Sequence, residues 1–148
     1  MKKIVYLSAA LTLAMSLFAC QDGGRKAIGF DSLPETAKTF INTHFSDKQV
    51  SAVYSDNSFA DKEYEVVFSD GANVDFTKKG EWDEVEDRDA DGVPLAIIPQ
   101  PIADYVTANH AGQYVVQITK DRNEYERELN STLEISFDAD GNFVSYDD

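Results

Sequence analysis

The chain repeats itself. Tyr64-Glu65-Val66-Val67-Phe68, followed by Val74-Asp75-Phe76 and Gly80-Glu81-Trp82, recurs 61 positions later as Tyr125-Glu126-Arg127-Glu128-Leu129, Ile135-Ser136-Phe137 and Gly141-Asn142-Phe143. Upstream, Leu33-Pro34 and Phe40-Ile41 recur at a shift of 65 as Ile98-Pro99 and Tyr105-Val106. Ordered recurrence of aromatic, acidic, aliphatic and glycine positions points to a tandem duplication, which confines the chain to folds that build one supersecondary unit twice. The two units span about 31–86 and 93–146, joined by an acidic linker at 87–92, and form a single domain over 30–148.

Each unit opens with a helix. Ser32 with Glu35 three residues later reads as a capping box, and Leu33, Ala37, Phe40, Ile41, His44 and Phe45 share one face, so a helix is expected over about 33–45. The second is expected to begin near Pro101, with Ile102, Tyr105, Val106 and Asn109 together, and to stop at Gly112. Strands follow by alternation: 50–54, 64–69, 73–77 and 82–85 in the first unit, then 114–119, 125–129, 132–137 and 142–146 in the second. Asp70-Gly71, Lys79-Gly80, Asn130-Ser131 and Asp140-Gly141 supply the turns. The expected class is α+β, with two helices on one face of an antiparallel sheet of about eight strands.

Side-chain parity then sorts the faces. Tyr64, Val66, Phe68, Val74 and Phe76 face the helices, as do Tyr125, Leu129, Leu133, Ile135 and Phe137. Glu65, Val67, Asn73 and Asp75 face the other way, with Glu126, Glu128, Glu134 and Ser136. Arg127 takes the inward slot that Val66 holds in the first unit. A lone buried guanidinium is costly, so it is expected at the rim with its stem packed, or against a carboxylate.

The start of the chain reads as an address. Lys2 and Lys3 precede an apolar stretch from Ile4 to Leu17, too short for a stable span and right for a signal peptide over 1–19. Leu17-Phe18-Ala19-Cys20 resembles the bacterial lipobox. Cys20 is the sole cysteine, cannot form an internal disulfide, and is expected to carry the lipid. Gln21 after it favours the outer membrane, facing the periplasm of a Gram-negative bacterium. The Gly-rich segment 20–29 reads as a flexible tether.

Charge excludes one partner class. The formal net charge is −14, and removal of Lys2 and Lys3 makes the mature chain more acidic still, so nucleic acid is not expected and membrane contact runs through the lipid anchor alone. No catalytic constellation is present: no G-x-S-x-G, and His44 and His110 lack metal-ligand spacing and read as helix-end residues. Asp87-Arg88-Asp89-Ala90-Asp91-Gly92 matches the opening of a calcium loop, making Asp87, Asp89 and Asp91 candidate metal ligands. Loop position 12 is Ile98 rather than a bidentate Glu, and so acidic a linker reads as a solvated, self-repelling connector. The outward acids Glu65, Asp75, Glu126, Glu128 and Glu134, with Val67, form a candidate docking surface for a basic or mixed partner.

The succession of a helix after Leu-Pro, a Tyr-Glu strand, an Asp-Gly turn, a Phe strand and a Lys-Gly-Glu-Trp hairpin, then a second copy ending Phe137-Asp138-Ala139-Asp140-Gly141-Asn142-Phe143, resembles the PepSY-like, β-lactamase-inhibitor-like family of exported bacterial proteins. The resemblance spans roughly Leu33 to Tyr146 and implies a sheet with one side open for binding. The expected function is a non-enzymatic envelope lipoprotein that binds, and inhibits or modulates, a protein or peptide partner, without a cofactor. The alternative is calcium binding through Asp87 to Asp91.

Overall fold

The computed structural model describes residues 25–56 and 64–147. The signal segment and Cys20 lie outside the described residues. Nine strands form one fully antiparallel sheet in chain order: β1 (Arg25–Ala27), β2 (Val50–Asp56), β3 (Tyr64–Phe68), β4 (Asn73–Phe76), β5 (Trp82–Glu86), β6 (Val115–Lys120), β7 (Glu124–Leu129), β8 (Glu134–Asp138) and β9 (Phe143–Asp147). Helix α1 (Glu35–His44) sits between β1 and β2, and α2 (Gln100–Asn109) between β5 and β6. Among the described residues no helix is long and apolar enough to cross a membrane.

The ninth strand corrects the expected eight, and it comes from the segment read as a tether. Arg25 and Ala27 pair with Asp56 and Tyr54, because backbone donors and acceptors at the open edge of β2 are satisfied better by a strand than by a loose chain. The expected strand at 132–137 begins only at Glu134, since Thr132 adopts a left-handed φ of 67° and completes the turn instead.

Both helices start behind a proline, Pro34 and Pro99, and neither has a side-chain cap. The capping box read at Ser32 is therefore not formed: Ser32 closes a 3₁₀ turn, and Glu35 instead pairs with Lys38 at 2.9 Å. Two hairpin glycines seat the helix starts. Gly80 (φ 81°) and Gly141 (φ 83°) lie so close that an added Cβ would fall 2.7 Å from Pro34 Cβ and 3.1 Å from Pro101 Cβ. Only glycine meets both the backbone sign and the approach.

Buried faces follow from the pleat. One row runs from β2 to β8 on the helix side: Val53, Val66, Val74, Val85, Ile118, Arg127 and Ile135, each the registered partner of the next. Ala37 and Ile41 of α1, and Ile102 and Val106 of α2, cover it. Phe40 meets Phe76 edge-on at 5.7 Å and lies 6.4 Å from Trp82. Tyr105 meets Phe137 edge-on at 5.1 Å and stacks on Phe143 at 5.0 Å. Irregularities also match: register shifts fall at Val50/Ala52 and Val115/Gln117, and at Asp75/Phe76 and Ser136/Phe137.

Arg127 departs from both expected placements. It is 2% exposed, within the apolar row, and among the described residues none of its three guanidinium nitrogens has a hydrogen-bond partner. The linker departs in part: Asp87 is buried at 3%, its N–H donates to Val116 O, and Val93 N–H donates to Val115 O, so the ends of the connector dock along β6 while Arg88 to Asp91 stay exposed as expected.

Candidate functional site

The face away from the helices carries two rows of registered residues. One reads Tyr54, Glu65, Asp75, Glu84, Thr119, Glu126, Ser136, Ser145. The other reads Val67, Asn73, Glu86, Gln117, Glu128, Glu134, Asp147. Every outward residue anticipated from sequence lies on this face, with Glu65, Val67 and Asp75 on β3–β4 and Glu126, Glu128 and Glu134 on β7–β8. Between the two groups stand Glu84 and Glu86, which sequence parity missed. A β-bulge near Asp83 shifts the alternation after Trp82, so Val85 turns in and its neighbours turn out. The acid-rich Trp82–Glu86 run held the signal, but only with the bulge known.

Carboxylates stand directly opposite one another in two triples, Glu65–Asp75–Glu84 and Glu128–Glu134–Asp147. Like charges at cross-strand positions are destabilising, so the fold bears a cost there. Among the described residues two arginines offset it. Arg25 reaches Glu65 at 2.6 Å with its guanidinium 3.9 Å over the Tyr54 ring. Arg88 forks onto Glu128 at 3.0 and 2.7 Å and reaches Glu86 at 2.5 Å. The Arg88 hydrogen bonds hold the Glu128 carboxyl below the usual range. Neutral donors complete the surface: Gln117 to Glu84 at 3.0 Å, Asn73 to Glu86 at 3.3 Å, and Ser136 to Asp147. A depression of about 170 Å³ lies among Gln117, Thr119, Glu126, Glu128, Glu134 and Asp147.

The candidate metal residues separate. Asp87 and Asp89 converge, at 2.9 and 3.0 Å, on the ammonium of Lys48, and Asp70 of the β3–β4 turn joins them at 2.6 Å. Asp91 stays exposed and outside the group. Burial pulls the Lys48 pKa down, but hydrogen bonds to Asp70, Asp87 and Asp89 outweigh it and hold the group above the usual lysine range. Hydrogen bonding to Lys48 lowers Asp70. Neither Lys48 nor Asp70 was legible as part of this cluster, because the three segments lie far apart in the chain. Among the described residues no His, Cys, Asp and Glu side chains are grouped to hold a metal ion.

The two histidines are not equivalent. His110 follows the last turn of α2, where Phe45 follows α1, and its Nε2 lies 3.3 Å from Tyr146 Oη. His44 packs on Phe40 at 4.7 Å.

Comparison with known proteins bears on the fold and the compartment. Residues 62–145 match a family model described as "Putative beta-lactamase-inhibitor-like, PepSY-like". No curated protein matches the chain. A crystal structure from Bacteroides thetaiotaomicron, described as a "putative calcium-regulated periplasmic protein", is 39% identical with a TM-score of 0.80, covering 84% of this chain and 97% of that one. A "putative periplasmic protein" of the DUF2874 family from Bacteroides vulgatus is 36% identical with a TM-score of 0.79, covering 87% and 99%. Another Bacteroides vulgatus protein, of unknown function and likewise described as a "putative periplasmic protein", is 34% identical with a TM-score of 0.78, covering 84% and 100%.

Proposed function

The chain belongs to the PepSY-like, β-lactamase-inhibitor-like family, and on that premise we propose that it is a non-enzymatic envelope protein that binds a basic polypeptide on the open acidic face of its sheet, thereby modulating that partner. One observation carries this reading: carboxylates are stacked opposite one another across adjacent strands, in register, on a face where Arg25 and Arg88 reach them among the described residues. A surface that bears such repulsion when alone gains most when cations cover it. Lipid attachment at Cys20, outer-membrane placement and descent from a tandem duplication belong to the same reading. Support for the first two comes from the lipobox-like Leu17-Phe18-Ala19-Cys20 and from relatives described as periplasmic. The matched bulges, prolines and glycines support the third.

The test is affinity capture from envelope extract with wild type and with Glu65→Lys/Glu126→Lys/Glu134→Lys, both checked for native circular dichroism. A partner held by wild type, released by salt and lost in the triple variant supports the reading. A partner held equally by both sinks it.

A second reading draws on the description of the Bacteroides thetaiotaomicron relative as calcium-regulated. Calcium at Asp87 and Asp89 would have to displace the Lys48 ammonium, which already stands between them. Calorimetry with calcium decides: a micromolar site lost in Asp89→Ala favours it.

A further inference from the structure

Strand β9 forms one edge of the sheet, and among the described residues only β8 pairs with it. The large hydrophobic side chains most exposed among the described residues are Leu95, Phe143, Val144 and Tyr146, and three of the four belong to β9. Natural edge strands are normally blunted by lysine, proline or shortness. The opposite edge follows that rule, since β1 is three residues long and carries Arg25 and Lys26. The five residues of β9 carry neither a basic residue nor a proline; its irregularity is the extra Val144 between Phe143 and Ser145, which brings Phe143 and Tyr146 to one side, and its one charge is Asp147.

The aromatic side of this edge is held in place. Tyr105 stacks on Phe143 with a 7° interplanar angle, Tyr146 packs on Phe143 at 4.9 Å, and Tyr146 Oη meets Tyr105 Oη at 2.9 Å. On the other side of the strand, Asp147 and Ser145 end the two outward rows, beside Glu134 and Ser136. A strand added to β9 would therefore set alternate residues against Phe143 and Tyr146 on one side and against Asp147 and Glu134 on the other.

We propose that β9 receives an extended partner segment in which basic and apolar residues alternate, adding a tenth strand to the sheet. This rests on the acidic-face reading and specifies how the partner enters: main-chain hydrogen bonds give affinity and the two flanking faces give the pattern. A second copy of this chain is the less suited occupant, because antiparallel pairing of two β9 strands would set two acidic faces side by side in a chain of net charge −14.

The test uses the full chain and a labelled eight-residue peptide of alternating lysine and valine, with the same peptide N-methylated at every residue as its control. N-methylation keeps the charges and side chains and removes the edge donors. The expected result is binding of the first peptide, roughly tenfold or more weaker binding of the second, and slowed hydrogen exchange at β9 amides but not at β1. Equal binding of both peptides with β9 exchange unchanged overturns the edge proposal while leaving the acidic face as a docking surface. Binding of neither peptide overturns it as well, whatever the capture experiment shows. Dimerisation by sedimentation without peptide, with β9 amides protected, replaces the partner segment by a second copy and also overturns it.

Discussion

The Cζ of Arg127 lies 3.6 Å from the centroid of the Phe137 ring, and among the described residues the buried guanidinium meets this aromatic face without any hydrogen-bond partner. Such a contact is worth about 2 kcal/mol when desolvated, less than the several kcal/mol that burying an unpaired ion costs.

Arg127→Met should accordingly stabilise the protein by about 1–4 kcal/mol at neutral pH, read from urea midpoints. Burial pushes the Arg127 pKa down to about 9, so folding penalises the protonated form, and the penalty is complete where both folded and unfolded chains hold the proton. As pH rises through about 9 the folded chain sheds the proton first, the penalty shrinks, and the advantage of Arg127→Met should shrink with it. A variant no more stable than wild type at neutral pH would show that the charge is compensated.

Lys48 ties the α1–β2 loop to the β3–β4 turn and the β5–α2 connector, so Lys48→Met should cost about 2 kcal/mol by leaving Asp87 buried without its cation. Asp89 is more than half exposed, and Asp89→Ala should cost well under about 1 kcal/mol. Asp70 has a lowered folded pKa, so its share of stability is present above the unfolded carboxylate value and is lost as pH falls through the folded one. Acid titration of wild type and Asp70→Asn, followed by circular dichroism, checks the sign.

Glu134 stands between Glu128 and Asp147, and Glu134→Lys should relieve two like-charge pairs and raise stability by about 0.5 kcal/mol. The same substitution should weaken capture of a basic partner. Thermal melts at low and high salt provide the control, because salt should stabilise wild type more than the variant.

Gly80→Ala should destabilise by about 2 kcal/mol or more, through both the positive φ and the clash with Pro34, whereas Gly71→Ala, with φ 97° and open space around it, should cost only about 1 kcal/mol. Equal losses at the two positions, measured by urea unfolding, would remove the close approach as the cause.

Local chemistry was enough to read much of this molecule from its residues. The spacing of Leu33, Ala37 and Ile41 defined a helical face, the alternation of Tyr64, Val66 and Phe68 defined an inner strand face, and Glu65, Asp75, Glu126, Glu128 and Glu134 emerged on the opposite one, because side-chain direction in a helix or strand depends on near neighbours alone. What required the folded chain was everything set by distant segments meeting. Pairing with β2 made a strand of Arg25–Ala27. A bulge between β4 and β5 turned Glu84 and Glu86 onto the acidic face. Lys48, Asp70 and Asp87 became neighbours only when two loops and a connector closed on one another. Arg127 lost its water only when the chain closed over the inner face of the sheet, and no periodicity records whether a cation arriving in the core finds a carboxylate there.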